Sequence, residues 1–110
     1  MLYQTHNQTE IQIGGTSLRG HIVITYDALY AVFGRPMGGD GYKTDIEWAI
    51  RFKDDVVATI YNWKNGPAYL GDDGTPVHEI TEWNVGGHTT AAVDLVVSTL
   101  QQEGYTVQRR

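Results

Sequence analysis

The sequence contains no cysteine, so neither disulfide bonds nor thiolate metal sites can form. It also lacks an excess of positive charge, because 13 acidic residues outnumber 8 basic ones and leave a net charge of -5. That balance argues against a binder of long nucleic acid, whose affinity depends on a basic surface, but it allows a small anionic ligand held by a few donors. No apolar run is long enough to span a membrane, and the N-terminus lacks a signal-peptide pattern, so we expect a cytoplasmic protein.

What is present is typical of one globular domain covering residues 1–110. Hydrophobic residues make up 41% of the chain and charged residues 19%, which is a globular and not a disordered composition. A domain of 110 residues can bury only a modest core, so we expect a homo-oligomer. The polar residues 1–9 are expected to be loose.

Two stretches near the N-terminus predict a β-hairpin. Residues 10–13 alternate between polar and apolar side chains, Gly14-Gly15 is typical of a turn, and residues 20–24 form a second strand-like run.

Period-two alternation is clearest in residues 42–52, and a turn at residues 53–55 connects this strand to a partner over 56–63. A third strand is predicted to begin at His78 or Ile80 and to end at Val85. These three strands together predict a meander.

Two helices complete the prediction. Thr25 is a good N-cap for a helix over residues 26–33, which Gly34 ends. Thr89 or Thr90 begins a second helix with apolar residues at helical spacing up to Leu100. The expected fold is therefore α+β: a mainly antiparallel sheet, consisting of an N-terminal hairpin and a three-stranded meander, with two helices packed on one face.

A short sequence pattern occurs twice, and each copy contains a tryptophan near a predicted strand end. Residues 60–66 and 80–86 both read Ile-x-x-Trp-x-x-Gly. Residues three apart on a strand face opposite ways, so Trp63 and Trp83 would face away from the helices if Ile60 and Ile80 face them.

The first candidate binding element is Gly86-Gly87-His88-Thr89-Thr90, in which two threonine hydroxyls and an imidazole would add donors. A helix N-terminus presents unpaired N–H groups, and glycines allow a phosphate to approach the backbone. The alternative is a simple turn in which the glycines adopt positive φ and a threonine caps the helix.

The second candidate is an aromatic set, Tyr61, Trp63, Tyr69 and Trp83, which could stack a base. The alternative for this set is a core or a dimer interface. The third candidate comprises Lys43, Lys64 and Arg35, which lie in or beside loops and could neutralise phosphate, although solvated surface charge is the alternative.

Features of an enzyme are missing. The histidines have no metal-binding spacing, Gly71-Asp72-Asp73-Gly74 lacks the ligand pattern of a calcium loop, and no serine lies in a nucleophile elbow. We therefore predict a binding protein, with no catalytic residues, no metal and no cofactor.

Several motifs are spread over roughly residues 22–100. They are Leu29-x-x-x-Phe33-Gly34-x-Pro36, Gly39-Asp40-Gly41-Tyr42-Lys43, Glu47-Trp48, Thr59-Ile60-Tyr61-x-Trp63-Lys64 and Trp83-x-x-Gly86-Gly87-His88. In these motifs the chain resembles a group of small uncharacterised phage-encoded proteins, from which no activity carries over to individual positions. The order helix, Gly-x-Pro, strand, hairpin also looks like small inhibitor modules of the beta-lactamase-inhibitor type, whose export signal this chain lacks.

A phage origin favours a role against host defence. The prediction is that the protein sequesters a nucleotide-derived immune signal, such as a cyclic oligonucleotide or an ADP-ribose derivative, without turnover. The predicted ligand-binding residues are Tyr61, Trp63, Lys64, Lys43, Trp83, Gly86, Gly87, His88 and Thr89. Two alternatives remain open: a protein that inhibits a host defence enzyme directly, and a homo-oligomeric accessory domain.

Overall fold

The computed structural model describes residues 3–110 and contains a seven-stranded antiparallel sheet with two longer helices on one face. The elements in chain order are β1 (Tyr3–Thr5), β2 (Ser17–Val23), α1 (Tyr26–Phe33), β3 (Met37–Gly38), β4 (Ile46–Phe52), β5 (Val57–Tyr61), α2 (Pro67–Leu70), β6 (Glu82–Gly87), α3 (Ala91–Gln102) and β7 (Gln108–Arg109). The strand order is β1-β4-β5-β6-β2-β7, and β3 pairs with the remaining part of the β4 edge. The predicted α+β class and the β4-β5-β6 meander are confirmed.

Both predicted helices are present. The Thr25 hydroxyl accepts a hydrogen bond from the Ala28 N–H at 3.2 Å, and Gly34 ends α1 with a φ of 85°. Apolar side chains of α1 and α3 join the inward side chains of the central strands in one core. That core lies between α1, α3 and one face of the sheet. These two helices leave the opposite face uncovered, and we call it the helix-free face.

The predicted N-terminal hairpin is wrong. Residues 10–13 form no strand, and β2 pairs along its length with β6, whose partner residues are 59 (Val23–Glu82) to 70 (Ser17–Gly87) positions away in the chain. On its other edge, Ile22 and Val23 pair with β7, which takes the place that a hairpin partner would need. The strand at the C-terminus thus replaces the one expected near the N-terminus.

The expectation of a loose segment over residues 1–9 also fails for the part that the structure describes. Tyr3–Thr5 pair with Ile50–Phe52 of β4, and the Tyr3 hydroxyl donates to the Val32 carbonyl at 3.1 Å. The strand lies at the sheet edge, where Gln4 is exposed and Thr5 is buried. Residues 1 and 2 lie outside the described residues.

None of the helices within residues 3–110 has the length and apolar character needed to cross a bilayer.

Candidate functional site

Trp63 lies just beyond the end of β5 and leaves 43% of its surface exposed. The Nζ atoms of Lys43 and Lys64 lie 5.4 and 5.7 Å from the centre of its ring. Tyr42 and Tyr69 extend the group, since their ring centres are 5.5 Å apart and each ring also has one of the two lysines over it. We call Tyr42, Lys43, Trp63, Lys64 and Tyr69 the aromatic–lysine cluster.

The loop that carries Tyr42 and Lys43 is held by the side chain of Asp40. One carboxylate oxygen accepts the backbone N–H groups of Tyr42, Lys43 and Thr44 at 2.8, 2.8 and 2.9 Å. These bonds favour the ionised carboxylate, so the Thr44 and Tyr42 amides lower the pKa of Asp40 below its ordinary value. Because the three amides share one acceptor, this half of the cluster keeps a defined backbone shape.

The other half of the cluster is anchored by Asn62, a fully buried polar residue. Its side-chain oxygen accepts the N–H groups of Asp45 and Ile46 at 2.8 and 3.2 Å. Its amide group donates to the carboxylate of Asp45 at 2.7 Å and to the side chain of Asn65 at 3.1 Å. Asn62 therefore ties the start of β4 to the segment that follows β5.

A direct backbone contact then joins the two loops. The Lys64 N–H donates to the Lys43 carbonyl at 2.8 Å, and Lys64 adopts a left-handed φ of 58° to do so. Left-handed backbone is unfavourable for a lysine, so the surrounding bonds must hold it there. The two lysines are thus brought together by the backbone as well as by Trp63.

Beside the cluster, two cavities open on the helix-free face of the sheet. The larger has a volume of about 780 Å³, and its lining includes Leu18, His21, Glu82, Asn84 and Arg110. The smaller, about 300 Å³, is lined by Thr16, Ser17, Asp40, Thr44, Glu47, Thr59 and Gly86 together with two rings. Those rings are Tyr61 and Trp63, which line both cavities and form their common boundary.

The floor between the cavities is a row of polar side chains across four strands. The pairing register places Glu47 opposite Tyr61, Tyr61 opposite Asn84, and Asn84 opposite His21. A His21 ring nitrogen and the Asn84 side-chain oxygen are 2.9 Å apart. Since side chains opposite each other on adjacent strands are within contact range, this row is a continuous polar surface.

Two groups in this row have shifted proton affinities. Burial raises the pKa of Glu47 above its ordinary value, and the nearby Asp40 carboxylate raises it further, while His6 opposes the rise. Burial also raises the pKa of Tyr61, which the Asn84 side chain partly offsets. Shifted ionisable groups beside a cavity are a recognised feature of functional sites.

The predicted turn at Gly86-Gly87 is wrong, because both glycines are the last residues of β6 and neither has a positive φ. They are paired on both sides, with β5 and with β2. A Cβ on Gly86 would overlap the Thr59 hydroxyl, and one on Gly87 would overlap the Cβ of Ala92. Close packing therefore explains both glycines, although Gly86 also lines the smaller cavity.

His88 and Thr89 are exposed and line neither cavity. The guanidinium of Arg19 donates to the carbonyls of Gly87 and His88 at 2.9 and 2.8 Å. This strand end therefore presents carbonyl oxygens to a cation, where the sequence had suggested N–H groups for an anion. Thr90 is the N-cap of α3, without a side-chain bond.

Trp83 does not face away from the helices, as the repeated Ile-x-x-Trp-x-x-Gly pattern had suggested it would. It is only 1% exposed, its indole N–H donates to the Ile24 carbonyl at 3.0 Å, and its ring packs edge-on against Trp48. The reason is that Ile80 precedes β6, so strand alternation does not relate it to Trp83. Part of Trp83 reaches the lining of the larger cavity.

The sequence-predicted residues that the structure brings together are therefore Tyr61, Trp63, Lys43, Lys64 and Tyr69. Arg35 lies beside a separate cavity near the N-terminal segment. Sequence reasoning missed Glu47, Asn84 and His21. The alternation of β4 already placed Glu47 on the face away from the core, but nothing in the sequence showed which strands flank it.

Comparison with protein-family models, with curated proteins and with solved structures returned no match. Within residues 3–110, no three histidine, aspartate or glutamate side chains are grouped so that they could hold a metal ion.

Proposed function

We propose that the protein binds a nucleotide-derived ligand on the helix-free face and sequesters it without turnover. The observation that carries the proposal is the pair of cavities around Tyr61 and Trp63 with two lysines beside them. A ligand with a flat ring and a phosphate matches that combination of surfaces.

The ring of the ligand would contact Trp63 and Tyr61. Their ring centres are 6.3 Å apart with planes at 77°, so together they offer a face and an edge. Stacking of a base on an aromatic side chain contributes about 1–3 kcal/mol. The volume of each cavity, about 780 and 300 Å³, also suits a small molecule, because such sites typically enclose on the order of 300–1,000 Å³.

The phosphate would lie near Lys43 and Lys64. These two ammonium groups are held at one ring in a protein whose net charge is -5, so they form a local positive area on an acidic chain. The local electrostatic field of the two lysines is sufficient to steer an anion to this area, although the net charge of the protein is negative. The hydrogen bonds through Asp40 and Asn62 fix the lysine-bearing loops before a ligand arrives, which reduces the entropy lost on binding.

The biological use that we propose is removal of a nucleotide immune signal in the cytoplasm of an infected cell. Sequestration requires tight binding and slow release, and a preorganised site favours both.

Thermal denaturation with a panel of cyclic dinucleotides, cyclic trinucleotides and ADP-ribose derivatives tests the proposal. A ligand present at about 100 times its Kd should stabilise the fold by about 2.7 kcal/mol and raise Tm by several degrees. Trp63→Ala should remove the rise. Tyr30→Ala, which removes an exposed ring from α1 on the other face, is the matched control and should retain it. No rise with any compound would overturn the proposal.

One observation favours a second function, direct inhibition of a host protein. Large exposed side chains are concentrated around the cluster: Tyr42, Trp63, Tyr69 and Leu70 are 60, 43, 39 and 43% exposed. Aromatic residues are frequent anchors at protein interfaces. Co-purification of a host protein with the wild-type chain, but not with a Tyr42→Ala/Tyr69→Ala variant, would support this function. Light scattering would show whether self-association accounts for the same surface.

A further inference from the structure

The smaller cavity is lined by the carboxylate of Glu47, a partly buried residue. Within residues 3–110 Glu47 forms no ion pair, and no fully buried side-chain oxygen lacks a hydrogen-bond partner, so an unpaired oxygen of this carboxylate is in reach of solvent. A ligand that enters the cavity displaces water from the carboxylate, and an acceptor left without a donor is costly. Such a ligand must therefore donate hydrogen bonds to Glu47.

The lining of the smaller cavity is unusually poor in positive charge. It contains the carboxylates of Asp40 and Glu47 and the hydroxyls of Thr16, Ser17, Thr44 and Thr59, with no lysine, arginine or histidine. The larger cavity differs, because His21, Asn65 and Arg110 supply donors to it. A phosphate would be repelled from the smaller cavity, so the part of the ligand that enters it should carry no negative charge and should offer hydrogen-bond donors.

The same part of the ligand must be flat. Tyr61 and Trp63 form one side of the smaller cavity, and Gly86 presents no side chain on its floor. A nucleobase satisfies this shape requirement, and its phosphate would then extend toward the lysines beside Trp63.

We propose that the smaller cavity is a base subsite in which Glu47 accepts two adjacent N–H groups from a guanine-type base. Guanine carries a ring N–H next to an amino group, and a carboxylate binds two parallel donors of this kind in a bidentate manner. Uracil offers a single ring N–H flanked by carbonyls, which the carboxylate repels. This inference rests on the proposed function and specifies its ligand class.

Isothermal titration with GMP, IMP and UMP tests the subsite. IMP keeps the ring N–H of GMP and lacks only its amino group, so the pair isolates one hydrogen bond. We expect GMP to bind on the order of 10-fold more tightly than IMP, because each unpaired buried donor or acceptor weakens binding. The difference in affinity between GMP and UMP should be larger still. Glu47→Gln should lower the affinity for GMP to the affinity that the wild type has for IMP.

Glu103→Gln is the matched control, because it neutralises an exposed carboxylate at the C-terminal end of α3 that lines neither cavity. It should preserve the preference for GMP. Thermal denaturation of each variant separates loss of binding from loss of fold. Equal affinities for the three nucleotides, or a Glu47→Gln variant with the wild-type preference, would overturn the subsite while leaving the proposed function in place. Absence of binding by all three would overturn the subsite, and the proposed function would then depend on the thermal-shift panel alone.

Discussion

Trp63 and Trp83 occupy the same place in two copies of one local pattern, Ile-x-x-Trp-x-x-Gly, and have opposite environments. Trp83 is the second residue of β6 and lies in the core, whereas Trp63 follows the end of β5 and is 43% exposed. The difference comes from where each strand stops. A local pattern therefore predicts the environment of a side chain only when the strand boundaries are known.

The largest expected effect concerns stability of the two tryptophan variants. Trp83→Ala removes a buried ring and its hydrogen bond to Ile24, so it should lower the free energy of unfolding by about 3–5 kcal/mol. Trp63→Ala removes mainly an exposed ring and its contacts with two lysines, and should cost about 1 kcal/mol or less. Urea denaturation measures both. Similar losses for the two variants would contradict the assignment of one to the core and the other to a binding face.

The second effect concerns the hydrogen bonds of Asn62, which hold the loops of the aromatic–lysine cluster. Asn62→Ala leaves the N–H groups of Asp45 and Ile46 without their acceptor and should cost about 1–3 kcal/mol. Hydrogen exchange should accelerate at these two amides and at that of Lys64. Asn65→Ala, which loses one bond to Asn62 and a longer one to Glu82, is the milder control. Unchanged exchange at Lys64 would show that Asn62 does not hold the cluster.

A smaller effect concerns the pH dependence of stability. The folded-state pKa of Glu47 is raised by burial and by Asp40, so stability falls as pH rises from the ordinary pKa of 4.5 to the raised value and stays lower above it. Well below pH 4.5, Glu47 is protonated in the folded and the unfolded state, so Glu47→Gln should have the Tm of the wild type. At pH 7 the variant should have the higher Tm. Tyr61 lies opposite Glu47 on β5, and its raised pKa keeps its hydroxyl neutral at pH 7.

Glu103→Gln on the exposed end of α3 controls for the change in net charge. A lower Tm for Glu47→Gln than for Glu103→Gln at pH 7 would contradict a half-buried Glu47 that forms no ion pair within residues 3–110.

The secondary structure was largely predictable because it depends on local signals. The Thr25 cap and Gly34 defined α1, and the period of β4 was clear from its own residues. Pairing between distant strands was not predictable, because the partner of β2 is separated from it by most of the chain. The N-terminal hairpin was wrong for this reason.

The same difference between local signals and long-range pairing applies to the candidate site. Trp63, Lys64 and Lys43 were recognisable as residue types near strand ends, and the structure brings them together. The row from Glu47 to His21 exists only once four strands are aligned, so no single segment could have revealed it. The Gly86-Gly87 prediction failed because glycine serves close packing as well as turns, and sequence alone does not separate these uses.

The most direct test of the binding face uses tryptophan fluorescence. All three tryptophans lie within residues 3–110, and Trp48 and Trp83 are buried, so acrylamide quenching reports mainly on Trp63. A nucleotide that raises Tm should protect the fluorescence from acrylamide, and the protected signal should be absent in Trp63→Ala. A nucleotide that raises Tm while Trp63 stays fully accessible to the quencher would contradict the account.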